Sequence, residues 1–588
     1  MESIFFLISI ISLIVTTAIA IILSRKHEIK TKIKPIYVLI GGVFLAIFTI
    51  MLYVDYQPET YGKASTFFLA IFHAVQIMLT GYEFDSLQGL FSVGNEYFSL
   101  EYLYISFLFV LGPMYTFSFV LSFFEGMSSY LKYLFGYKKD IYILSDISER
   151  SLLLAQSIRK KYPQGAIIFM NAFLNNDDDN YEIIRNAKKL KAIFMKKSIV
   201  EAGLRFHKKN TKVSFFIIGE KESKNLEQTL HVVDRFRNRQ NTELFVFATS
   251  KESELLLDSI DDGIMRVRRI NSSRILAHSI INDYPITESV TIKNDEKLIS
   301  ALIVGMGEQG TELTKAFLWC AQLPGYGLRI DVIDAETDAE SKFRAECPEI
   351  LKLNHNDVFG EARYHLYIHG GVNVRTYSFN KIIDSLTDTS VVYVCLGDDD
   401  LNIETAINLR ILLERKGLYP KIRAIVYSDI KHKSLDLCGF VNYSGQNYDI
   451  ELIGNAQKRY EYDTIANIEL ENKALDVHLR WADSEEEREA EIHRFNQYEY
   501  FRNSSIATAI HEKYRKAERM DEETSSIVEH MRWNAYMRTE GYVFSGSYEK
   551  DSRNDRAKIH HNLHPWKRLD TSSRKIDERI VGAQNKDK

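Results

Sequence analysis

The chain has 588 residues, a formal net charge of −5 and 4 cysteines. Its basic residues are interspersed with acidic ones, so no basic tract predicts a nucleic-acid partner. The cysteines form no CxxC pair and indicate neither a metal site nor a disulfide framework.

Three apolar runs near the N-terminus, at about residues 4–23, 36–54 and 102–124, are each long enough to cross a hydrocarbon layer of ~30 Å. The loop after the first run is basic, and Glu28 is its only acidic residue. By the positive-inside tendency this loop is cytoplasmic, which places the N-terminus outside. We therefore predict a multi-pass protein of the inner (plasma) membrane, embedded in the lipid bilayer, whose large C-terminal part is cytoplasmic.

A fourth apolar run, residues 64–80, lies between two acidic stretches. Because both of its flanks have an extracytoplasmic character, the pattern predicts a re-entrant half-helix rather than another crossing. Lipid cannot satisfy bare backbone amides, so the chain after such a half-helix must be buried in protein or line water, as in a pore. An interfacial amphipathic helix followed by an ordinary turn is the alternative.

The residues that leave this half-helix are Met78-Leu79-Thr80-Gly81-Tyr82-Glu83-Phe84-Asp85. They resemble a shortened potassium-channel filter, in which a short helix precedes Thr-Val-Gly-Tyr-Gly and an Asp. The resemblance implies a transmembrane pore domain over residues 1–135 and a monovalent cation in the pore. The pore residues that it implies are Thr80, Gly81, Tyr82, Glu83 and Asp85. The Val and the second Gly of the family motif are absent, so the resemblance does not extend to potassium selectivity.

From residue 140 onward, short apolar runs alternate with helical stretches, which predicts α/β architecture with two successive doubly wound, Rossmann-like domains. We place the first domain at 136–292, the second at 293–460 and a helical linker at 461–503. The first strand-to-helix turn of the first domain begins with Ser145 and Asp146, whose side chains would obstruct a phosphate. This degenerate first domain is predicted to bind no nucleotide.

The second domain has a glycine-rich turn at the equivalent position, formed by Gly305, Gly307 and Gly310. Asp334 ends the next strand, where a carboxylate meets ribose hydroxyls in dinucleotide-binding folds. Asp398 follows a later strand and would border the same crevice. These residues predict a site for an adenine nucleotide or NAD, and the alternative is a glycine turn kept for helix-strand packing.

A pore helix followed by tandem α/β domains resembles the channels with RCK (regulator of potassium conductance, or TrkA-N) domains. In that family the cytoplasmic domains form a ring whose expansion pulls on the inner pore helices. The resemblance therefore implies a homotetramer that carries a ring of eight such domains.

Residues 504–588 contain Glu529-His530-Met531-Arg532-Trp533-Asn534-Ala535-Tyr536-Met537 and, further on, His564-Pro565-Trp566-Lys567-Arg568. These segments closely resemble the RyR domain, named for the ryanodine receptor, and the rest of it is expected to be mainly α-helical. Aromatic rings could stack on a base and guanidinium groups could bind phosphate. The ligand residues that we predict are Arg532, Trp533, Tyr536, Trp566 and Arg568. The alternative is that the aromatic residues form core and that Glu529 and Arg532 form a structural salt bridge.

Together these patterns predict a ligand-gated cation channel, with potassium as one candidate ion, that is opened by a nucleotide-type small-molecule signal. The likeness to bacterial RyR-domain proteins with membrane segments implies a role as an anti-phage (antiviral) defence effector. Two other functions stay open: a membrane-tethered NAD-dependent enzyme, and a signal-activated effector that disrupts the membrane without a selective pore. We predict that the chain is not an enzyme, because it lacks a nucleophile elbow, an HExxH motif and an acid-paired His beside the crevice.

Overall fold

The computed structural model describes residues 2–25, 35–54, 58–80, 100–123, 140–171, 180–202, 211–261, 263–293, 296–353, 363–466, 468–482 and 487–582. The chain divides into two compact units, Met1–Gly136 and Tyr137–Lys588.

The first unit is helical. Its described helices are α1 Glu2–Arg25, α2 Pro35–Val54, α3 Pro58–Met78 and α4 Leu100–Phe123. Among the described residues, two windows are long and apolar enough to cross a membrane, Ile4–Ile21 and Tyr37–Val54. The apolar window of α4, Leu103–Phe117, is shorter. The third crossing therefore stays a prediction.

Small side chains bring α1 and α2 close together. A Cβ added to Gly42 would lie 2.0 Å from the Thr16 hydroxyl oxygen, and Ser9 Oγ donates to the carbonyl of Ala46 at 2.9 Å. Close backbone approach through small residues is how apolar helices pack when no hydrophobic effect distinguishes helix from lipid. The pairing of α1 with α2 is therefore compatible with a membrane setting.

The predicted half-helix at 64–80 corresponds to the second part of α3. Gly62, at φ 72°, interrupts the helical backbone of α3, and the helix ends at Met78. Thr80 follows in a turn with φ 67°. Gly81, Tyr82, Glu83 and Asp85 lie outside the described residues, so the pore that they predict stays a prediction.

The second unit begins with a parallel sheet. Within the described ranges this sheet has six strands in the order β3-β2-β1-β4-β5-β6, and Ile141 of β1 lies opposite Ala166 of β2 and Val213 of β4. The strands are β1 Ile141–Leu144, β2 Ala166–Phe169, β3 Ile193–Phe194, β4 Val213–Ile217, β5 Thr242–Phe247 and β6 Arg266–Ile270. The helices are α5 Glu149–Lys161, α6 Asn180–Lys189, α7 Glu222–Phe236 and α8 Lys251–Asp258, with a 3-10 turn at Ile199–Glu201.

The second α/β domain repeats this strand order as β10-β9-β8-β11-β12-β13, with β7 added antiparallel to β8. Its described strands are β7 Val290–Lys293, β8 Glu296–Val304, β9 Tyr326–Ile333, β10 Arg363–His369, β11 Val391–Val394, β12 Lys421–Ile425 and β13 Ile450–Ile453. Its helices are α10 Glu308–Cys320, α11 Ala339–Glu346, α12 Pro348–Lys352, α13 Tyr377–Ser385, α14 Asp399–Arg415 and α15 Asp429–Cys438. The prediction of parallel-sheet α/β architecture after residue 140 is confirmed.

The remaining elements connect the sheets and build the C-terminal region. They are α9 Ser272–Asp283, α16 Ala456–Arg459, α17 Tyr462–Ala466, α18 Ile468–Ala482, α19 Arg488–Gln497, α20 Glu499–Ala517, α21 Glu522–Thr539, β14 Val543–Phe544, β15 Ile559–His560 and α22 Thr571–Gly582. Short 3-10 turns lie at Ile286–Glu288, Lys550–Ser552 and Trp566–Arg568.

The helix that follows the sixth strand of each sheet packs on the other domain. Helix α9 follows β6, yet Leu276 and Ile280 of α9 belong to the apolar core of the second sheet. After β13 the chain returns to the first sheet, where the Tyr462 ring lies 6.0 Å from the Tyr142 ring. The backbone N–H of Tyr462 donates to Ser157 Oγ at 2.9 Å. The two α/β domains therefore exchange helices.

The C-terminal region packs on both α/β domains. The Tyr536 ring of α21 lies 6.4 Å from the Trp319 ring of α10, and Arg538 Nε donates to Glu349 of α12 at 2.8 Å. On the other side, Arg269 of β6 donates from Nε and Nη2 to the two carboxylate oxygens of Glu499, each at 2.7 Å. The C-terminal region is therefore a third layer that joins the two domains.

Candidate functional site

The glycine turn of the second domain connects β8 to α10. Gly305 has φ 99°, and a Cβ there would lie 2.5 Å from the carbonyl oxygen of Cys395. A Cβ on Gly310 would lie 1.8 Å from the carbonyl oxygen of Gly305. Gly307 precedes α10 and has nothing within 4 Å of an added Cβ. Two of the three predicted glycines are thus required by backbone packing, and Gly307 faces open space.

The two predicted carboxylates hold the protein's own backbone. Asp334 accepts hydrogen bonds from the N–H of Met306 at 2.6 Å and of Glu336 at 2.7 Å. Asp398 accepts from the N–H of Leu401 at 2.8 Å and so caps α14. Asp334 therefore fixes the shape of the glycine turn, and each carboxylate has an intramolecular partner.

The crevice beside Gly307 is small and acidic. Its volume is about 270 Å³, and its lining includes Glu308, Glu312, Glu336 and Glu346. Burial would raise the pKa of Glu312, but Arg274 and Lys315 outweigh it and hold the pKa at about 2. The basic residues at this crevice, among them Lys315 and Lys342, are already paired with its glutamates, so none of these pairs offers a free cation to a phosphate, and the packing alternative for the glycines is favoured. The nucleotide or NAD site at the turn stays a prediction.

Replacing Gly310 with alanine should lower the free energy of unfolding by about 3 kcal/mol, because an overpacked backbone contact has to be relieved by movement of β8 and α10. Gly307→Ala is the matched control, since its Cβ would enter open space. Urea denaturation of the two full-length variants measures the difference. Equal losses at the two positions would contradict this assignment.

A larger cavity, of about 710 Å³, lies in the C-terminal region between α18, α20, α21 and α22. Two predicted ligand residues, Arg532 and Trp533, line it. Tyr536 does not line it, because its side chain is turned into the core against Trp319. The structure therefore brings together part of the predicted ligand site.

The other two predicted ligand residues lie beside the cavity, outside its lining. The Trp566 ring packs 5.9 Å from the His530 ring, and the Arg574 guanidinium lies 5.6 Å from the Trp566 ring centre. Arg568 donates a hydrogen bond from Nη1 to the hydroxyl of Tyr548. Both residues therefore serve the packing of the segment after Pro565.

Two aromatic walls line the cavity. The first wall consists of His478, Trp481 and Phe501, whose ring centres lie 5.4 to 5.8 Å apart. The second wall consists of His530, Trp533 and His560, with the Trp533 ring 5.0 Å from His560 and 5.8 Å from His530. Among the described residues no ring contact joins one wall to the other. The cavity thus offers two separate flat surfaces for an aromatic ligand.

A buried charged cluster forms the floor of the cavity. Glu529 accepts hydrogen bonds from Arg532 Nε at 3.0 Å, from Arg532 Nη2 at 2.8 Å, from Thr508 Oγ1 at 3.1 Å and from Arg515 Nη1. The side chains of Arg515, Glu529 and Arg532 are each 1 % exposed. Burial would raise the pKa of Glu529, but Arg532 and Arg515 outweigh it and hold the pKa at about 2. The cluster therefore carries one carboxylate between two guanidinium groups.

One hydrogen-bond donor of this charged cluster has no acceptor in the protein. Arg532 lines the cavity, and its Nη1 is buried without a hydrogen-bond partner. A buried guanidinium N–H that lacks an acceptor is energetically costly, and an anionic group of a ligand would satisfy it. Lys550, Arg553 and Arg579 add further positive charge to the lining. The cavity therefore suits an anion.

The second carboxylate of the lining, Asp577, lies beside a histidine. His530 Nε2 lies 2.8 Å from the carbonyl oxygen of His564, which can only accept, so Nε2 carries a hydrogen. The other ring nitrogen, Nδ1, lies 3.3 Å from Asp577 Oδ2. Burial raises the pKa of Asp577. Asp577 therefore lies against His530, and the four basic residues of the lining, Arg532, Lys550, Arg553 and Arg579, outnumber its two carboxylates.

Sequence analysis missed the first wall. His478 and Trp481 lie in the predicted linker, and Phe501 lies just before the predicted start of the RyR-like domain. The spacing of His478 and Trp481, three residues apart on a helix, places both on one face and is the signal that could have found them.

Comparison of the chain with protein-family models and with curated proteins found no match in either set. The fold and site define a parallel-sheet α/β protein with apolar N-terminal helices and a cationic, aromatic cavity in its C-terminal region.

Proposed function

We propose that this protein is a ligand-gated cation channel of the cell membrane, opened when a nucleotide-type small molecule occupies the C-terminal cavity. The observation that supports this function is the combination of aromatic walls with the buried, partly unsatisfied Arg532 in one cavity. The two apolar helices α1 and α2 supply the membrane anchor. A homotetramer with Thr80 to Asp85 around the ion path completes the proposal.

The chemistry of the cavity selects this ligand class. A base can stack on Trp533 or Trp481, since stacking on an aromatic ring is tolerant of base identity. A phosphate can accept from Arg532 Nη1, the group that the protein leaves without an acceptor. The volume of about 710 Å³ lies in the range of small-molecule sites, ~300–1,000 Å³. A neutral or cationic ligand would leave the positive lining uncompensated.

The energy required for gating is modest for each subunit. Shifting a channel from ~1 % to ~99 % open needs roughly 5.5 kcal/mol of differential binding. Four sites in a tetramer would share this, so each needs a little over ~1 kcal/mol, which one stacked aromatic contact supplies. The ligand therefore does not need a high affinity. It only needs to bind the open arrangement better than the closed one.

The acidic crevice at Gly307 gives little support to the alternative function, a membrane-tethered NAD-dependent enzyme. Its volume of about 270 Å³ is small for a dinucleotide, and its lining includes four glutamates against one lysine. The channel is also favoured over non-selective membrane disruption, because Glu83 and Asp85 would repeat around the mouth and concentrate cations. The proposed role in anti-phage defence would require that opening harms the host cell.

Replacing Trp533 with alanine should weaken nucleotide binding by about tenfold or more, because a stacked base contributes ~1–3 kcal/mol. Calorimetry on the purified full-length protein with AMP, cyclic AMP, cyclic di-AMP and NAD measures the binding. Planar-bilayer recording with the same nucleotides measures the opening.

The matched control is Tyr548→Ala, which removes a partly exposed aromatic side chain of the same region outside the cavity lining. It should leave both binding and currents unchanged. Wild-type protein that binds none of these nucleotides, or a Trp533→Ala variant that binds and opens like wild type, would overturn the proposal.

A further inference from the structure

Helix α18 touches the ligand cavity with one half and the first α/β domain with the other. We infer that α18 is the element that couples occupancy of the cavity to the first α/β domain, and that Trp481 is a ligand-binding residue. The inference rests on the proposed function, because it assumes that a ligand enters the cavity. It assigns a role to a segment that the sequence presents only as a linker.

The C-terminal half of α18 forms the first wall. His478 is 2 % exposed and is held by Glu491, whose Oε2 lies 3.1 Å from His478 Nε2. Trp481 stacks on His478 with ring centres 5.4 Å apart and is 37 % exposed. The buried His478 ring therefore supports the Trp481 indole, which is accessible to a ligand.

This half of α18 is also tied to the last helix of the chain. Arg579 Nη2 of α22 donates to the carbonyl of Trp481 at 3.3 Å, and Arg480 Nη1 donates to the carbonyl of Ile580 at 2.9 Å. Because α18 carries part of the first wall and α21 part of the second, a ligand that contacts both walls would bind across these two helices.

The N-terminal half of α18 is anchored on the first sheet. Glu471 accepts a hydrogen bond from Arg268 Nη2 of β6 at 3.1 Å. Arg268 is buried, and its Nη1 and Nη2 also donate to the backbone carbonyl and side-chain oxygen of Asn496 at 3.0 and 2.9 Å. A buried, multiply bonded arginine holds its partner in one position. Any tilt of α18 must therefore be transmitted to β6.

The segment just before α18 strengthens this anchor. In α17 the Tyr462 ring contacts Tyr142 of β1 and Phe216 of β4, with ring centres 6.0 and 6.3 Å away. Asp463 forms an ion pair with Lys161 of α5. The first α/β domain is the one that follows the membrane helices along the chain, so movement of α17 and α18 acts on the domain next in sequence to the proposed gate.

A helix of 15 residues is about 22 Å long and behaves as a stiff rod over that length. A ligand can shift the equilibrium of α18 only if it binds one position of the rod better than the other. Contact with Trp481 on α18 and Trp533 on α21 provides this preference, because both rings can be engaged only when the two walls are at one separation.

The first test separates binding from coupling. Trp481→Ala should weaken the binding of cyclic di-AMP, AMP or whichever of the four nucleotides binds wild type by about tenfold, through loss of one stacking surface. Lys473→Pro should break α18 between Glu471 and His478, because proline removes a backbone donor and kinks a helix. We expect Lys473→Pro to retain ligand affinity within about threefold and to lose ligand-evoked currents, and Lys473→Ala to retain both.

The second test needs no ligand. Hydrogen exchange on the ligand-free full-length protein should show faster exchange of the amides in α17 and β1 in Trp481→Ala than in wild type. Trp533→Ala, on the opposite wall, should leave these amides unchanged. Faster exchange confined to residues 477–582 in Trp481→Ala, or normal currents in Lys473→Pro, would overturn the inference. If only the proposed function is wrong, wild-type protein will show neither nucleotide binding nor currents. The amides of α17 and β1 will still exchange faster in Trp481→Ala than in wild type.

Discussion

Replacing Glu529 with alanine should lower the free energy of unfolding by about 3–5 kcal/mol, because it leaves two buried guanidinium groups without their carboxylate. Glu529 lies between Arg515 and Arg532 at the floor of the cavity, and all three side chains are 1 % exposed. Urea denaturation of the full-length protein, followed by tryptophan fluorescence, measures the loss. The C-terminal region contains Trp533 and Trp566 and so reports on its own unfolding.

The control for this substitution is Glu523→Ala, which removes an exposed carboxylate from the first turn of the same helix. It should change the stability little. The pH dependence gives a second check. The folded pKa of Glu529 is about 2 and its ordinary value is 4.5, so its stabilising contribution is complete above pH 4.5 and is lost as the pH falls toward 2. An equal loss in the two variants would mean that the buried cluster does not stabilise this region.

Replacing Glu499 with alanine should be comparably severe and should detach α20 from the first α/β domain. Arg269 donates to both carboxylate oxygens of Glu499 at 2.7 Å and to Glu254 at 2.9 Å, and its side chain is 2 % exposed. Loss of one partner from such a buried pair costs about 3–5 kcal/mol. Arg269→Lys should lose part of this, since lysine cannot form the two-point contact.

Limited proteolysis measures the detachment, because release of α20 from the first domain exposes the chain around α19 and α20 to the protease. The control is Asp463→Asn, which removes the ion pair between Lys161 and Asp463, a contact between the same two parts of the chain that is exposed to solvent. Exposed ion pairs contribute little, so this variant should resist proteolysis like wild type. Cleavage of Asp463→Asn and Glu499→Ala at the same rate would contradict the importance of the buried pair.

The α/β architecture could be predicted because its signals are local. Runs such as those at β1 and β11 are apolar or aromatic over their whole length, as expected for strands buried on both faces. Strand β6, Arg266–Ile270, was not predicted, because three of its five residues are arginine. Glu243 and Glu254 are its nearer ion partners, but Arg268 and Arg269 also bond Glu471, Asn496 and Glu499, which lie about 200 residues or more away in the chain and belong to no local pattern.

The candidate ligand site could be predicted in part for the same reason. Arg532 and Trp533 are found by their place in a recognisable motif. Trp481 and Phe501 lie on α18 and α20. The position of these helices beside α21 is set by tertiary packing and could not be predicted from local sequence. Tyr536 lies in the same motif as Arg532, one helical turn away, yet its ring points into the core. The spacing of residues along a helix shows which of them share a face. It does not show which face meets a cavity and which meets the core, because that depends on tertiary packing.

The exchange of helices after β6 and β13 makes the two α/β domains one cooperative folding unit. Cutting the chain near residue 292 would remove Leu276, Ala277, Ile280 and Ile281 from the core of the second sheet. Cutting it near residue 460 would take Tyr462 and Ile465 from the core of the first. Neither half can therefore be produced alone without exposing an apolar face, and thermal melting of the full-length protein should unfold both sheets in a single transition because neither sheet keeps a complete core once the other unfolds.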